Sequence, residues 1–189
     1  LLCSVPFINS EVNLSVVDAL FESMSGVTTT GATILNNLDQ APKGILIWRA
    51  ILQWLGGIGI IVIALVILPF LRIGGMQLFH LEGDDPYDKF LPKISSVVSK
   101  IFIVYCILTL VLFFLYYLNG MSIFDSIAHS FTTISTGGFS THNDSFAYFN
   151  NITILNIAII FMILGSFPFL VLAQSSFSNI TLVMRDHQI

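Results

Sequence analysis

The chain has 189 residues, of which 55% are hydrophobic and only 10% are charged, and its formal net charge is -4. Soluble domains carry about 25% charged residues, so this chain lacks the polar surface that would cover a water-facing globule. The weak net charge, without a basic cluster, gives no indication of a nucleic-acid partner. We therefore predict an all-α polytopic membrane protein.

The first part of the chain is predicted to be the end of one membrane helix followed by a short re-entrant helix. Residues 1–7 are apolar, and neither a basic region nor a signal-peptide cleavage site is recognised before them. Residues 14–26 are amphipathic, with Asn13 or Ser15 as the helix cap and Asp18 in an early turn. This helix is too short to cross about 30 Å of hydrocarbon.

Long apolar stretches that follow are predicted to span the bilayer, namely residues 45–71, 101–118 and 152–173. Near the start of the first span, Arg49 and Gln53 lie one helical turn apart. Glycines further along this span are expected to pack closely against another helix. A second amphipathic segment, residues 122–133, lies between the last two spans.

The charged segment 72–100 is predicted to be a solvated cytoplasmic connection. It contains four of the seven basic residues, Arg72, Lys89, Lys93 and Lys100, and basic residues favour the cytoplasmic side. Its acids, Asp84, Asp85 and Asp88, lack the regular spacing of a calcium loop, so no metal site is predicted. The two cysteines, Cys3 and Cys106, lie in apolar stretches and are predicted to be free thiols.

An internal repeat appears when the chain is shifted by 107 residues, which places Asp18 over Asp125. Each copy then reads as a span, a short helix, a polar glycine-containing loop and another span. The first polar loop is Thr28, Thr29, Thr30, Gly31 and Ala32, and it aligns with the second polar loop, Ser135, Thr136, Gly137, Gly138 and Phe139. A repeat on this scale is stronger evidence than either short motif alone.

The composition of the two polar loops suits a path for a cation. Irregular backbone at membrane depth is tolerated only where protein or a water-filled cavity satisfies its polar groups, and inward carbonyls can replace the water around a dehydrated cation. Gly31 and Gly138 are expected to supply φ angles that other residues resist. One such loop would suggest an ordinary turn between helices, whereas two loops in register favour a cation filter.

At these residues the sequence resembles the membrane subunit of Trk/Ktr-type potassium uptake systems, the TrkH family. The similar stretches are residues 21–33, 48–59, 74–79 and 135–141. The resemblance implies a four-repeat transporter related in fold to potassium channels, with one filter loop from each repeat around one pore. Carried over to this sequence, it implies potassium-coordinating carbonyls at Thr29, Thr30, Gly31, Thr136, Gly137 and Gly138, flanked by Thr28, Ala32, Ser135 and Phe139.

The same resemblance gives the predicted organisation and partners. Residues 1–71 would form repeat 1, residues 72–100 the cytoplasmic connection, residues 101–174 repeat 2, and residues 175–189 the start of a link to a third repeat. The chain would then hold two filter loops of the four that a pore needs. The family implies a homodimer in the cell inner membrane, a cytoplasmic nucleotide-binding regulatory subunit, no cofactor, and potassium ion as the transported substrate.

The leading hypothesis is potassium uptake, and two alternatives remain open at the level of sequence. One is a non-conducting membrane scaffold that binds partners through its glycine-rich spans. The other is a membrane enzyme, since ionisable groups at membrane depth are candidates for function, here Asp18, Glu22, Asp125 and His129. The sequence leaves open whether K⁺ alone or K⁺ with Na⁺ would pass, and whether flux would be channel-like or coupled.

Overall fold

The computed structural model describes residues 2–12, 14–67 and 86–166, with side-chain surroundings given except for residues 60–62, 64–67 and 86–97. Helices and turns make up these residues, and no strand occurs among them. Short 3₁₀ turns lie at Leu2–Ser4, Leu38–Gln40 and Ser145–Phe149. The α-helices in chain order are α1 (Val5–Ile8), α2 (Val16–Val27), α3 (Lys43–Ile67), α4 (Pro86–Leu118), α5 (Ile123–Ile134) and α6 (Ile152–Ser166).

The chain divides into two compact units. The first comprises residues 1–57 and 107–166 and contains both polar loops. The second comprises residues 58–106 and 167–189, and its described residues, 58–67 and 86–106, are all helical.

The helices α2 and α5 begin in the same way. The Ser15 hydroxyl accepts a hydrogen bond from the Asp18 backbone N–H at 3.2 Å, and Ser122 accepts from Asp125 at 3.1 Å. Each serine also donates to the carboxylate of its aspartate at 2.7 Å. These caps satisfy free N–H groups of the first turn. Both helices have 12 residues and are about 18 Å long, so neither could cross a bilayer.

The longer helices agree with the predicted spans where they are described. Val98–Leu118 is long and apolar enough to cross a membrane, the one such helix found among the described residues. Helix α3 has 25 residues and a length of about 37 Å. It covers the predicted span 45–71 as far as Ile67, and α6 covers the span 152–173 as far as Ser166. The remaining residues of both predicted spans lie outside the described residues.

The expectation that the charged connection at residues 72–100 is a solvated loop is wrong for residues 86–100, because α4 begins at Pro86. Its cytoplasmic location stays a prediction. Proline suits the first turn of a helix, where its missing N–H would have had no partner in any case. Residues 68–85 lie outside the described residues, and so do residues 175–189 of the predicted link.

A buried apolar cluster joins α1, α2 and the start of α3 through the segment between them. Its members are Phe7, Ala19, Leu35, Leu38, Ile45, Leu46 and Leu52. Burial of each large side chain contributes roughly 1.5–3 kcal/mol relative to exposure. In the other repeat, the Tyr116 hydroxyl and the Thr133 hydroxyl lie 2.9 Å apart and connect α4 to α5. The short helices are thus held by the spans beside them.

In each repeat, a glycine on the helix that follows the polar loop allows this helix to pack against the end of the short helix before the loop. A Cβ on Gly56 of α3 would collide with the carbonyl oxygen of Val27, and one on Gly165 of α6 would lie 2.6 Å from the carbonyl oxygen of Ile134. Val27 and Ile134 are equivalent in the repeat. The prediction that glycines of the first span allow close helix packing is therefore confirmed at Gly56.

Candidate cation filter

The two polar loops have the same backbone conformation. Thr29 and Thr136 have φ angles of 55° and 54°, and Gly31 and Gly138 have φ angles of 77° and 79°. The expected positive φ at both glycines is confirmed. A threonine with positive φ is uncommon and strained, and such strain persists only where the surrounding structure imposes it.

Each loop is tied to the end of its short helix by matching backbone hydrogen bonds. In the first loop the N–H groups of Thr28, Thr29 and Thr30 donate to the carbonyls of Met24, Gly26 and Ser25 at 2.8, 3.0 and 3.0 Å. In the second loop those of Ser135, Thr136 and Gly137 donate to Phe131, Thr133 and Thr132 at 3.4, 3.0 and 2.9 Å. Every one of these pairs is related by the shift of 107 residues.

These bonds use the N–H groups of the loops and leave most carbonyls without a protein donor. Among the described residues, no hydrogen bond reaches five of the predicted coordinating carbonyls, those of Thr29, Thr30, Gly31, Thr136 and Gly138. The exceptions are Gly137, which accepts from Gln53 at 2.8 Å, and the flanking Ala32, which accepts from Ser25 at 2.5 Å. An unpaired carbonyl at membrane depth needs another partner, and a cation could supply it.

The two loops touch each other directly. A Cβ on Gly31 would collide with the carbonyl oxygen of Gly137. In the second loop, exposure alternates: Thr136 and Gly138 are exposed, whereas Ser135, Gly137 and Phe139 are buried. The two copies of the sequence repeat are therefore neighbours in space, with one side of the second loop open.

A buried ion pair lies behind the loops. The Arg49 Nε atom donates to Glu22 Oε1 at 2.7 Å, and the two side chains are 1% and 0% exposed. Glu22 also accepts hydrogen bonds from the Thr33 hydroxyl at 2.8 Å and from the Ile34 N–H at 3.1 Å. Glu22 thus joins α2, α3 and the segment that leaves the first loop.

The other end of Arg49 reaches the second loop. Its Nη1 donates to the Ser140 carbonyl at 3.2 Å, and its guanidinium carbon lies 4.1 Å from the centre of the Phe139 ring. A cation over an aromatic face is attracted by the ring quadrupole. Arg49 therefore contacts the exit of the second polar loop directly, and it is linked to the exit of the first through Glu22.

His129 takes the place of Glu22 in the second repeat. Its Nε2 lies 3.1 Å from the Ser140 hydroxyl, as Glu22 bonds the equivalent Thr33, and its Nδ1 lies 3.0 Å from the Asp125 carbonyl. The acid–base candidates of the enzyme hypothesis therefore support the loops or cap helices, and this favours a structural role for them.

A polar junction links the two repeats beside the loops. Asp39 accepts hydrogen bonds from His142 at 2.7 Å and from the Asn143 side chain at 2.6 Å, while Asn143 also accepts from the Leu38 N–H at 2.9 Å. The His142 ring stacks on Tyr148 with centroids 3.5 Å apart. Sequence reasoning did not find the hydrogen bonds of this junction, since they join residues more than 100 positions apart.

Acidification is expected to weaken this junction. The hydrogen bond from His142 is the largest cause of a lowered pKa for Asp39. Burial raises the pKa of Asp125, but hydrogen bonds from Thr141 and Ser122 and the nearby histidines lower it by more, so the net shift of this pKa is downward. A depressed carboxyl pKa gives stability that is present above the unfolded value of about 3.9 and is lost as the pH falls through the folded value.

The unfolding temperature of the full-length protein should therefore drop below about pH 4, and a variant with both Asp39→Asn and Asp125→Asn should show a shallower drop. Asn143→Ala is the control, because it removes contacts of the junction without removing a titrating group. An identical pH profile for the double variant and the unmodified protein would contradict the assignment.

Comparison with known proteins identifies the family of the chain. The family model of TrkH, described as a cation transport protein, matches residues 2–184. The chain belongs to the TrkH family, whose members are membrane transport proteins.

The names of individual relatives refer to potassium uptake or transport. The chain is 41% identical over 187 residues to the Trk system potassium uptake protein TrkI of Halomonas elongata, covering 98% of this chain and 38% of that protein. It is 48% identical over 165 residues to TrkH of Escherichia coli, covering 86% and 34%. The crystal structure of the potassium transporter TrkH from Vibrio parahaemolyticus superposes with a TM-score of 0.80 at 41% identity, covering 93% and 35%. The chain thus spans about a third of the length of these relatives.

Proposed function

We propose that the two polar loops are two of the four walls of a potassium filter, through which the full-length protein takes up K⁺ across the cell inner membrane. The observation that carries the proposal is that the two polar loops have the same backbone conformation, with positive φ at equivalent residues. The loops are in contact, and most of their carbonyls accept no hydrogen bond from the described residues. The names of the relatives support K⁺ as the ion. The other two walls would come from the remainder of a protein as long as those relatives.

The proposed chemistry is the replacement of water by backbone carbonyls. A K⁺ ion would lose its hydration shell and be held by carbonyls of Thr29, Thr30, Gly31, Thr136, Gly137 and Gly138. The carbonyl of Gly137 already accepts a bond from Gln53, but a carbonyl oxygen has a second lone pair. The C-terminal ends of α2 and α5 add negative potential at the loops, and neither loop contains a basic residue.

Membership of the TrkH family also suggests which partners the full-length protein has. We propose that the full-length protein is a homodimer and works with a cytoplasmic nucleotide-binding regulatory subunit. It would carry K⁺ as substrate without a cofactor and would not be an enzyme. The buried or capping positions of Asp18, Glu22, Asp125 and His129 support the last point.

The direct test is ion flux through the full-length protein in lipid vesicles. A K⁺ gradient should drive uptake that exceeds Na⁺ uptake under the same gradient, and K⁺ should raise the unfolding temperature because it binds only the folded state. Vesicles without protein supply the background. A protein that neither passes K⁺ nor gains stability from it would support the scaffold instead. Hydrolysis of a membrane substrate that Asp125→Asn abolishes would support the enzyme.

A further inference from the structure

Gln53 of α3 holds the second polar loop through both ends of its side-chain amide. Its Nε2 donates to the Gly137 carbonyl at 2.8 Å, and its Oε1 accepts from the Phe139 N–H at 3.1 Å. The side chain is 0% exposed. These two bonds flank Gly138, whose φ of 79° gives the loop its left-handed turn. One buried amide therefore fixes the peptide planes on both sides of that turn.

The position of the Gln53 amide also accounts for the glycine at position 137. The equivalent position in the first repeat is Thr30, so the loop conformation tolerates a side chain there. Gly137 is not among the residues with positive φ, and its backbone therefore does not demand glycine. A Cβ on Gly137 would collide with Gln53 Cδ and lie 2.5 and 2.7 Å from Oε1 and Nε2. The amide of Gln53 occupies the space that a side chain would need.

Helix α6 does not repeat this arrangement. Alignment of α3 and α6 on the glycines that contact their short helices, Gly56 and Gly165, places Met162 opposite Gln53 and Ala158 opposite Arg49. Neither Met162 nor Ala158 can donate a hydrogen bond from its side chain. Within the described residues, a side chain that hydrogen-bonds a polar loop through both ends of its amide occurs only at Gln53 of α3, which bonds the second loop.

We propose that Gln53 is a positioning residue for the second wall of the filter, and that Gly137 is its matched partner. The inference rests on the proposed function of the loops. Discrimination between K⁺ and Na⁺ depends on the size of the site or on the number and strength of its carbonyl dipoles. Loss of the two bonds frees the peptide planes on either side of Gly138, so the discrimination weakens while the path remains open.

The first test compares Gln53→Met with the unmodified full-length protein in vesicles. Methionine has a similar length but lacks the amide, so the ratio of K⁺ to Na⁺ flux should fall by about tenfold, the effect of losing one or two net hydrogen bonds. Leu55→Ala on the same helix, at a side chain that is 51% exposed, should leave the ratio unchanged.

The second test does not depend on transport. Gly137→Ala should lower the unfolding temperature because its Cβ collides with Gln53, and the same substitution should lower it less when it is introduced into Gln53→Ala, where the amide is absent. If Gly137→Ala lowers the unfolding temperature equally in both backgrounds, the matched pair is overturned.

An unchanged flux ratio in Gln53→Met, with K⁺ flux intact in the unmodified protein, overturns the positioning role and leaves the proposed function standing. A lack of K⁺ flux in the unmodified protein overturns the proposed function, while a smaller effect of Gly137→Ala in the Gln53→Ala background still supports the contact between Gln53 and the loop.

Discussion

Gly31→Ala in the full-length protein should reduce K⁺ uptake by more than tenfold. The new Cβ would collide with the Gly137 carbonyl, and the backbone has a φ of 77°. The left-handed conformation alone costs roughly 1–2 kcal/mol for a residue with a Cβ. Because the collision is with backbone of the neighbouring loop, both walls would have to move.

Substitutions at Gly138 test the effect of backbone strain without a steric collision. Its φ is 79°, but a Cβ there would meet no atom of the described residues within 4 Å. Asparagine adopts the left-handed region at lower cost than β-branched residues do. Gly138→Asn should therefore keep more K⁺ uptake than Gly138→Val, which should lose most of it.

Uptake by cells that depend on the full-length protein for K⁺ is the measurement for both positions. Gly44→Ala is the matched control, since a Cβ on Gly44 would also meet nothing within 4 Å and its backbone has no positive φ. Unchanged uptake and unchanged K⁺/Na⁺ preference in both Gly31→Ala and Gly138→Val would sink the assignment of the loops as a filter.

Glu22→Ala should destabilise the full-length protein by about 3–5 kcal/mol, because it leaves the buried guanidinium of Arg49 without its counterion. It also removes the acceptors of Thr33 and Ile34 behind the first loop. Arg49→Ala should cost a similar amount, since it leaves the Glu22 carboxylate buried and unpaired. Glu22→Gln should be milder, as it keeps an oxygen that can accept.

Thermal or denaturant unfolding in detergent measures these effects, with Asp144→Asn as a control at an exposed acid. The double variant Glu22→Leu with Arg49→Met should be less destabilised than Glu22→Leu or Arg49→Met alone, because no unpaired charge remains. Additive losses in a double-mutant cycle would show that the two side chains do not act as a pair.

Much of the local structure could be predicted because it depends on residues close together in the chain. Ser15 with Asp18 and Ser122 with Asp125 cap their helices as patterns of four consecutive residues. A polar loop that must turn sharply favours glycine, and Gly31 and Gly138 both have positive φ. The solvated connection predicted over residues 72–100 did not anticipate the helix over residues 86–100, because a proline at the first turn is compatible with a helix.

The sequence alone determined the repeat, the register of 107 residues and the two polar loops, because these are properties of composition and spacing along the chain. Only the tertiary structure decided what holds the loops in place. Arg49 and Gln53 stand out as polar residues in an apolar span, but their partners are Glu22 on one short helix and Gly137, Phe139 and Ser140 in the next repeat. The partners of a side chain on a spanning helix depend on which helices pack beside it, and that packing is settled only when the two repeats fold together.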